Sequence, residues 1–312
     1  MHVEPIGPGF AARITGLDLA RPLSGLVKAA VVAALDAHAV LVFPGQALSS
    51  DEQVALMRGF GELDTEVQKY FNALDSNRLK TDVVTDISNV DLSGAVADRL
   101  DRKTLMNIAN SFWHSDGSHY HHPFRYSALF AVAVSSWGGE TEFADLRAAH
   151  DTLDPRLRAL IEGRTGVFWS AFNRIRLGMP DPPAARGLYP PVEWPLLRTH
   201  PGSRRDILWV GQPLCQISGM SLPEGRALAQ ELLDHATRRE HVYSHAWQPG
   251  DLVIWDNRSV LHRGRRFDFA ERRELRRVGT KDDVSSLAVL PPPAGDDLGG
   301  FPLPMARDTL AA

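Results

Sequence analysis

The run "HVYSHAWQPGDLVIW" (residues 241–255) decides the architecture. Two short stretches, 241–247 and 251–255, are rich in Val, Ile, Tyr and Trp and flank Gln248-Pro249-Gly250. β-branched and aromatic runs on either side of a Pro-Gly turn predict two strands joined as a hairpin. Outward from there, "RRELRRVGT" (272–280), "DILWVG" (206–211), "YSALFAVAVSS" (126–136), "TDVVTDISNV" (81–90) and "VLVFPG" (40–45) also read as strands. Helical spacing occupies the gaps, at 25–39, 154–163 and 223–239, the last with Pro223 near its first turn. Ser49 and Glu52 form a capping-box pattern for a helix through Arg58. The rest of 64–110 predicts loop or short helix, the kind of irregular segment that carries binding residues. The expected fold is mainly β with surrounding helices (α+β), a sandwich or jelly roll with the helices outside. No glycine-rich loop follows a strand, which disfavours a nucleotide-binding α/β fold.

Composition narrows the function. The chain has 312 residues and is 44% apolar, enough for a sizeable core. Its 34 basic and 38 acidic residues leave a formal charge of −4, with no general reason to expect nucleic acid as a partner. Lysine is scarce beside arginine, which favours bidentate anion contacts wherever a site uses positive charge. Cys215 is the lone cysteine, so neither an internal disulfide nor a thiolate zinc cluster can form within one chain. The N-terminus lacks a signal pattern and no apolar run is long enough to span a bilayer, so a soluble, cytoplasmic protein is expected, with no membrane partner. Residues 1–280 are expected to form one domain. Residues 281–312, rich in Pro, Gly, Ser and Asp, are expected to be a loosely held, disordered arm.

"SFWHSDGSHYHH" (111–122) raises a metal question. On a strand, His114 and Asp116 would point to one face and present an imidazole beside a carboxylate. His262, in "VIWDNRSVLHRG", follows another strand-like run. Two histidines and one carboxylate occupy one face of an octahedral metal and leave three positions open, which suits Fe(II). H-x-D alone is a weak signal, and a polar surface loop is the competing reading. His119, His121 and His122 read as loop residues. In "RRELRRV", Arg273, Leu275 and Arg277 share one strand face, with Arg272, Glu274 and Arg276 on the other as a solvated charged ladder. An arginine pointing into a barrel needs an anion, because a buried unpaired charge is too costly. A dicarboxylate cosubstrate would supply one; pairing with Asp268 or Glu271 is the alternative.

Taken with "VLVFPGQALSSDEQ", "FGEL", "DISNVDLSG", "FWHSDGS", "GGETEFADLRAAHDTL", "PPVEWPLLRTHPGS" and "GDLVIWDNRSVLHRGRRFDFAERRELRR", the sequence resembles the Fe(II)- and 2-oxoglutarate-dependent dioxygenases of the taurine dioxygenase type. Within that family it is most similar to the 2,4-dichlorophenoxyacetate (aryloxyalkanoate) branch, over roughly residues 5 to 280. The resemblance implies a double-stranded β-helix, a jelly-roll barrel. It implies His114, Asp116 and His262 as iron ligands, with Thr141 and Arg273 holding the far carboxylate of 2-oxoglutarate. It places Asn110, Trp113 and Arg277 on the substrate side, with Trp255 as a further pocket candidate. Fe(II), 2-oxoglutarate and O₂ would be required. The implied reaction is hydroxylation of an anionic small molecule, here ether cleavage of an aryloxyalkanoate to a phenol and glyoxylate, with succinate and CO₂ formed alongside. A taurine-like sulfonate substrate, or a metal-binding jelly roll without turnover, are the other readings. Family halogenases lack the carboxylate at Asp116, so hydroxylation is implied. Family members form dimers or tetramers, and a homo-oligomer is expected by analogy. The "GSHYHH" run and residues 64–110 depart from the herbicide-cleaving pattern, and both are expected to border the pocket. Lys69 is a second cation candidate there.

Overall fold

The structure, a computed structural model, describes residues 1–98, 100, 101, 104, 105, 108–179, 181, 185 and 187–292. Its largest sheet joins seven strands in the order β1 (His2–Ile6), β2 (Ala11–Thr15), β3 (Val40–Phe43), β13 (Leu252–Asp256), β5 (Phe124–Ala133), β15 (Glu274–Lys281) and β4 (Thr85–Ser88). A three-stranded sheet runs β12 (Val242–His245), β6 (Thr141–Asp145), β14 (Val260–Gly264). A four-stranded sheet runs β11 (Leu214–Ile217), β7 (Thr165–Phe168), β8 (Val192–Pro195), β16 (Ala288–Val289), and β9 (Leu197–Thr199) pairs with β10 (Asp206–Leu208). Described helices include α1 (Gly25–His38) and α2 (Ser50–Arg58); among the described residues none is long and apolar enough to cross a membrane. The chain is thus mainly β with helices around it.

Alternation along β3 and β13 builds two cores. Leu41, Phe43, Leu252 and Ile254 face α1 and α2, where they join Val31, Leu35 and Met57. Val40, Val42, Val253 and Trp255 face the smaller sheet and join Phe143, Val260 and Leu275. Period-two alternation sends successive side chains to opposite faces, so Trp255 arrives on the inner side. The cap of α2 is the one its sequence predicts: the Ser49 hydroxyl accepts from the Glu52 amide, and the Glu52 carboxylate accepts from the Ser49 amide at 2.7 Å.

The expected 241–255 hairpin does not form. β12 pairs with β6, whereas β13 lies between β3 and β5. The reason is burial: β13 is buried at all five positions and needs a neighbour on each side, while β12 is partly exposed and sits at a sheet edge. Gln248-Pro249-Gly250 instead carries the chain from one sheet to the other. The outward face of β15 is also not a solvated ladder. Glu274 is buried and paired with Arg78 and Arg272, and Arg276 lies over the Phe130 ring and donates to Ser50 Oγ at 2.7 Å. Past residue 281 the chain stays attached: Asp282 N donates to Pro123 O, Ser286 N to His121 O, and Ala288–Val289 extends the four-stranded sheet. The remainder of the expected arm, 293–312, lies outside the described residues.

Candidate metal centre

His114 and His262 meet as a two-residue antiparallel bridge, with the His114 amide donating to His262 O at 3.0 Å and the reverse bond at 2.7 Å. Their rings lie 4.2 Å apart between centroids. Asp116 is not on a strand with His114 as the spacing suggests; it sits in the turn that follows. Gly117, at φ +68°, makes that turn, and a Cβ there would lie 2.7 Å from the Phe124 ring. The turn brings Asp116 Oδ1 to 3.8 Å from each imidazole Nε2. Donor atoms of the three residues all lie within 4.8 Å of one another.

The surroundings prepare these atoms as ligands. His114 Nδ1–H donates to Phe112 O at 2.7 Å, which leaves the Nε2 lone pair for a metal. Burial, with the neighbouring His114, pushes the His262 imidazole down to about 3, so it is neutral at ordinary pH. Burial works to raise the Asp116 carboxyl, but Arg277 and the two imidazoles outweigh it and hold it well below the usual range. Its second oxygen, Oδ2, accepts from Ser127 Oγ at 2.7 Å and Arg277 Nη1 at 3.1 Å. Asn257, fully buried, locks the arrangement: its Oδ1 accepts from the Asp116 amide and from Trp255 Nε1, and its Nδ2 donates to Ser127 Oγ. One carboxylate oxygen is therefore committed to the protein and the other faces the histidines. Two imidazoles, that of His114 anchored through Nδ1, and one ionised carboxylate anchored through Oδ2 fit a divalent cation.

A cavity of about 480 Å³ opens on this centre. Thr141 and Arg273 line it together. Trp247 Nε1 donates to Thr141 Oγ1 at 3.0 Å, so the threonine proton remains free to be donated elsewhere. Arg273 is buried, donates Nη2–H to Gly139 O at 2.9 Å and rests over Phe267. Neither Asp268 nor Glu271 pairs with it; Glu271 is engaged with Ser136. Burial lowers Arg273 to about 10, with Glu140 opposing, and the group keeps its charge at neutral pH. Arg277 also lines the cavity, though it already holds Asp116 and lies 3.8 Å from Asp64.

Asn110 and Trp255 line the cavity, and Trp255 packs 4.8 Å from His262. Trp113 does not: it is buried in the core cluster with Leu261, Trp209 and Val210 and stacks under Arg263 at 4.5 Å. Its neighbour His114 faces the cavity, and successive side chains of an extended segment point to opposite sides. Of the remaining histidines, His119 lines the cavity and burial lowers it to about 3. His121 and His122 instead tie down the segment after β15, through Ser286 Oγ at 2.8 Å and Val284 O at 3.3 Å. Lys69 is exposed and paired with Glu66. Sequence reasoning missed Trp247, Ser127 and Asn257. Asn257 stands in the quoted "WDNR", yet nothing in that tetrapeptide says that it reaches back across the sheet.

A two-histidine, one-carboxylate donor set on a mainly β scaffold, beside a buried arginine that pairs with no acid among the described residues, defines the class of non-haem metal oxygenases. The chain belongs to the taurine catabolism dioxygenase TauD, TfdA family, whose model matches residues 2–278. It is 46% identical over 282 residues to the alpha-ketoglutarate-dependent 2,4-dichlorophenoxyacetate dioxygenase of Cupriavidus pinatubonensis, covering 90% of this chain and 98% of the relative. It is 31% identical to the (S)-phenoxypropionate/alpha-ketoglutarate-dioxygenase of Delftia acidovorans, covering 86% and 91%. Among solved structures it is similar to AAD-2 in complex with Mn(II) and N-oxalylglycine, with a TM-score of 0.84, 35% identity and coverage of 92% and 99%. A taurine dioxygenase from Burkholderia xenovorans gives a TM-score of 0.72 at 28% identity, with 91% and 92% covered.

Proposed function

We propose that this protein is an Fe(II)- and 2-oxoglutarate-dependent dioxygenase that cleaves an aryloxyalkanoate of the 2,4-dichlorophenoxyacetate type. The observation that carries the reading is the 46% identity to a 2,4-dichlorophenoxyacetate dioxygenase over nearly the full length of both chains. The converging donor set supports it from the residues upward. In the net reaction, O₂ and 2-oxoglutarate give succinate and CO₂, and the second oxygen atom enters the carbon next to the ether oxygen. The resulting hemiacetal then collapses to a phenol and glyoxylate. In fold terms, the seven-stranded and three-stranded sheets are the two walls of a double-stranded β-helix.

His114, Asp116 and His262 hold the iron, which supplies oxygen activation once 2-oxoglutarate is bound. Arg273 and the free Thr141 proton receive the far carboxylate of 2-oxoglutarate, and this fixes its orientation. Arg277 keeps Asp116 ionised and turned toward the histidines. Asn110 and the apolar lining, with Ile87, Leu129 and Phe71, border the substrate and exclude water from the reacting carbon. The test is an anaerobic titration of the Fe(II) protein with 2-oxoglutarate, followed by aerobic turnover. A visible charge-transfer band, and glyoxylate released from 2,4-dichlorophenoxyacetate in step with succinate, are expected. A binding protein without turnover would yield neither product, and a sulfonate dioxygenase would release sulfite from taurine while sparing the herbicide.

A further inference from the structure

Among the described residues, five arginines, Arg174, Arg265, Arg266, Arg273 and Arg277, line the metal cavity against one carboxylate, Asp116. The whole chain carries −4, so this is a local reversal of sign. The deep arginines each have an anion. Arg277 holds Asp116 and Arg174 holds Asp181 at 2.6 Å; Arg273 takes the far carboxylate in the function proposed above. The two rim arginines do not balance in this way. Arg265, half exposed, lies 3.7 Å from Glu142, which Arg263 already holds at 2.7 Å. Arg266 is exposed and forms no ion pair among the described residues.

The loop that presents them is firmly seated. Gly139 N donates to Arg266 O at 2.9 Å, and Arg265 N donates to Glu140 O at 2.8 Å. Gly138, at φ +69°, permits this approach, since a Cβ there would lie 2.1 Å from Arg266 O. Both cations therefore stay at the mouth, three and four residues beyond the ligand His262.

We infer that Arg265 and Arg266 form an outer capture site for small carboxylates, drawing 2-oxoglutarate and the carboxylate substrate toward the cavity. The site is not the substrate's final seat. The carbon to be oxidised is bonded to the carboxylate carbon, so that carboxylate must end beside the metal and not at the rim. Its effect is on arrival: like-signed charges around a low-dielectric opening focus the field and raise on-rates, within a Debye length of about 10 Å at ordinary salt. The inference rests on 2-oxoglutarate being a ligand of this cavity.

Two tryptophans supply a reporter, because Trp255 packs on His262 and Trp247 donates to Thr141. The experiment is anaerobic stopped-flow binding of 2-oxoglutarate to the Mn(II)-loaded full chain, read by tryptophan fluorescence at several salt concentrations. For Arg265→Gln with Arg266→Gln, the on-rate at low salt is expected to fall about 3- to 10-fold, with a shallower salt dependence and an unaltered off-rate. Arg265→Lys with Arg266→Lys should restore it, since a point charge suffices for steering. An unchanged on-rate and salt slope in the glutamine pair, or no recovery with lysine, overturns the inference alone. A wild-type protein with no response to 2-oxoglutarate overturns the proposed function and the inference together.

Discussion

In the proposed metal centre, Asp116 shows how much of a ligand's placement lies outside its own side chain. Its Oδ2 is held by Ser127 and Arg277 and its amide by Asn257, so only Oδ1 is free to face the histidines. Removing such a support typically costs ten- to a hundredfold in metal affinity. Ser127→Ala is therefore expected to weaken Mn(II) binding about tenfold in an anaerobic titration with little change in fold; an unchanged affinity would show that Arg277 orients the carboxylate by itself. The far end of the cavity invites a paired comparison. Arg273→Ala removes a charge-assisted clamp and should raise the KM for 2-oxoglutarate about 30-fold, on the order of 2 kcal/mol. Trp247→Phe leaves Thr141 without its donor and should raise the same KM only about fivefold. If both variants kept the wild-type KM, the far carboxylate must bind elsewhere. His114, Asp116, His262 and Arg273 stood out in the sequence by residue type and spacing and Thr141 through the family resemblance alone, and the structure gathers all five around one cavity. Trp247, Ser127 and Asn257 did not stand out, because they act through bonds across strands that no local spacing records. Trp113 was misread for a related reason: it adjoins a ligand in sequence but faces the opposite side.

At the scale of elements, the sequence spoke clearly where local chemistry decides and poorly where partners do. α2 is the clear case, since Ser49 and Glu52 satisfy each other's amides and nothing distant is needed. Ser49→Ala should cost about 1 kcal/mol in urea-induced unfolding, and a loss below a few tenths would mean that tertiary packing alone sets the start of the helix. β12 and β13 are the opposite case. Both have strand composition and a turn between them, yet which strand pairs with which is settled by how many faces each must bury. The outward face of β15 follows the same logic, for Glu274 is buried by Arg78, a residue nearly two hundred positions away in the chain. β6 and β14, which carry Thr141 and His262, have no long apolar run and show their strand character only in the sheet.

For the whole molecule, the cavity joins segments from both sheets, so its burial couples the site to global stability. Three imidazoles are held below their ordinary value: burial, chiefly, lowers His262 and the partly buried His119 to about 3 and moves His235 in the same direction. Unfolding releases each to about 6.5. A group whose folded value is depressed binds more protons in the unfolded chain, so the stability it permits is whole above the unfolded value and drains away as pH falls toward the folded one. Asp256, fully buried against Arg258 and His200, is depressed too, but its loss begins only below about pH 4. Asp64 and Asp282 are raised by burial and act with the opposite sign, offsetting part of that lower limb. The metal-free protein should thus begin to lose stability near pH 6.5, well above the carboxylate range. His119 makes the test clean, since it lines the cavity without belonging to the donor set and packs on Tyr120 at 4.3 Å. Substituting His119→Phe removes one of the three titrating rings, and the fall in unfolding midpoint between pH 7.5 and pH 5 should shrink relative to wild type. A variant whose midpoint falls as steeply as the wild type would mean that His119 takes up its proton without opening the fold.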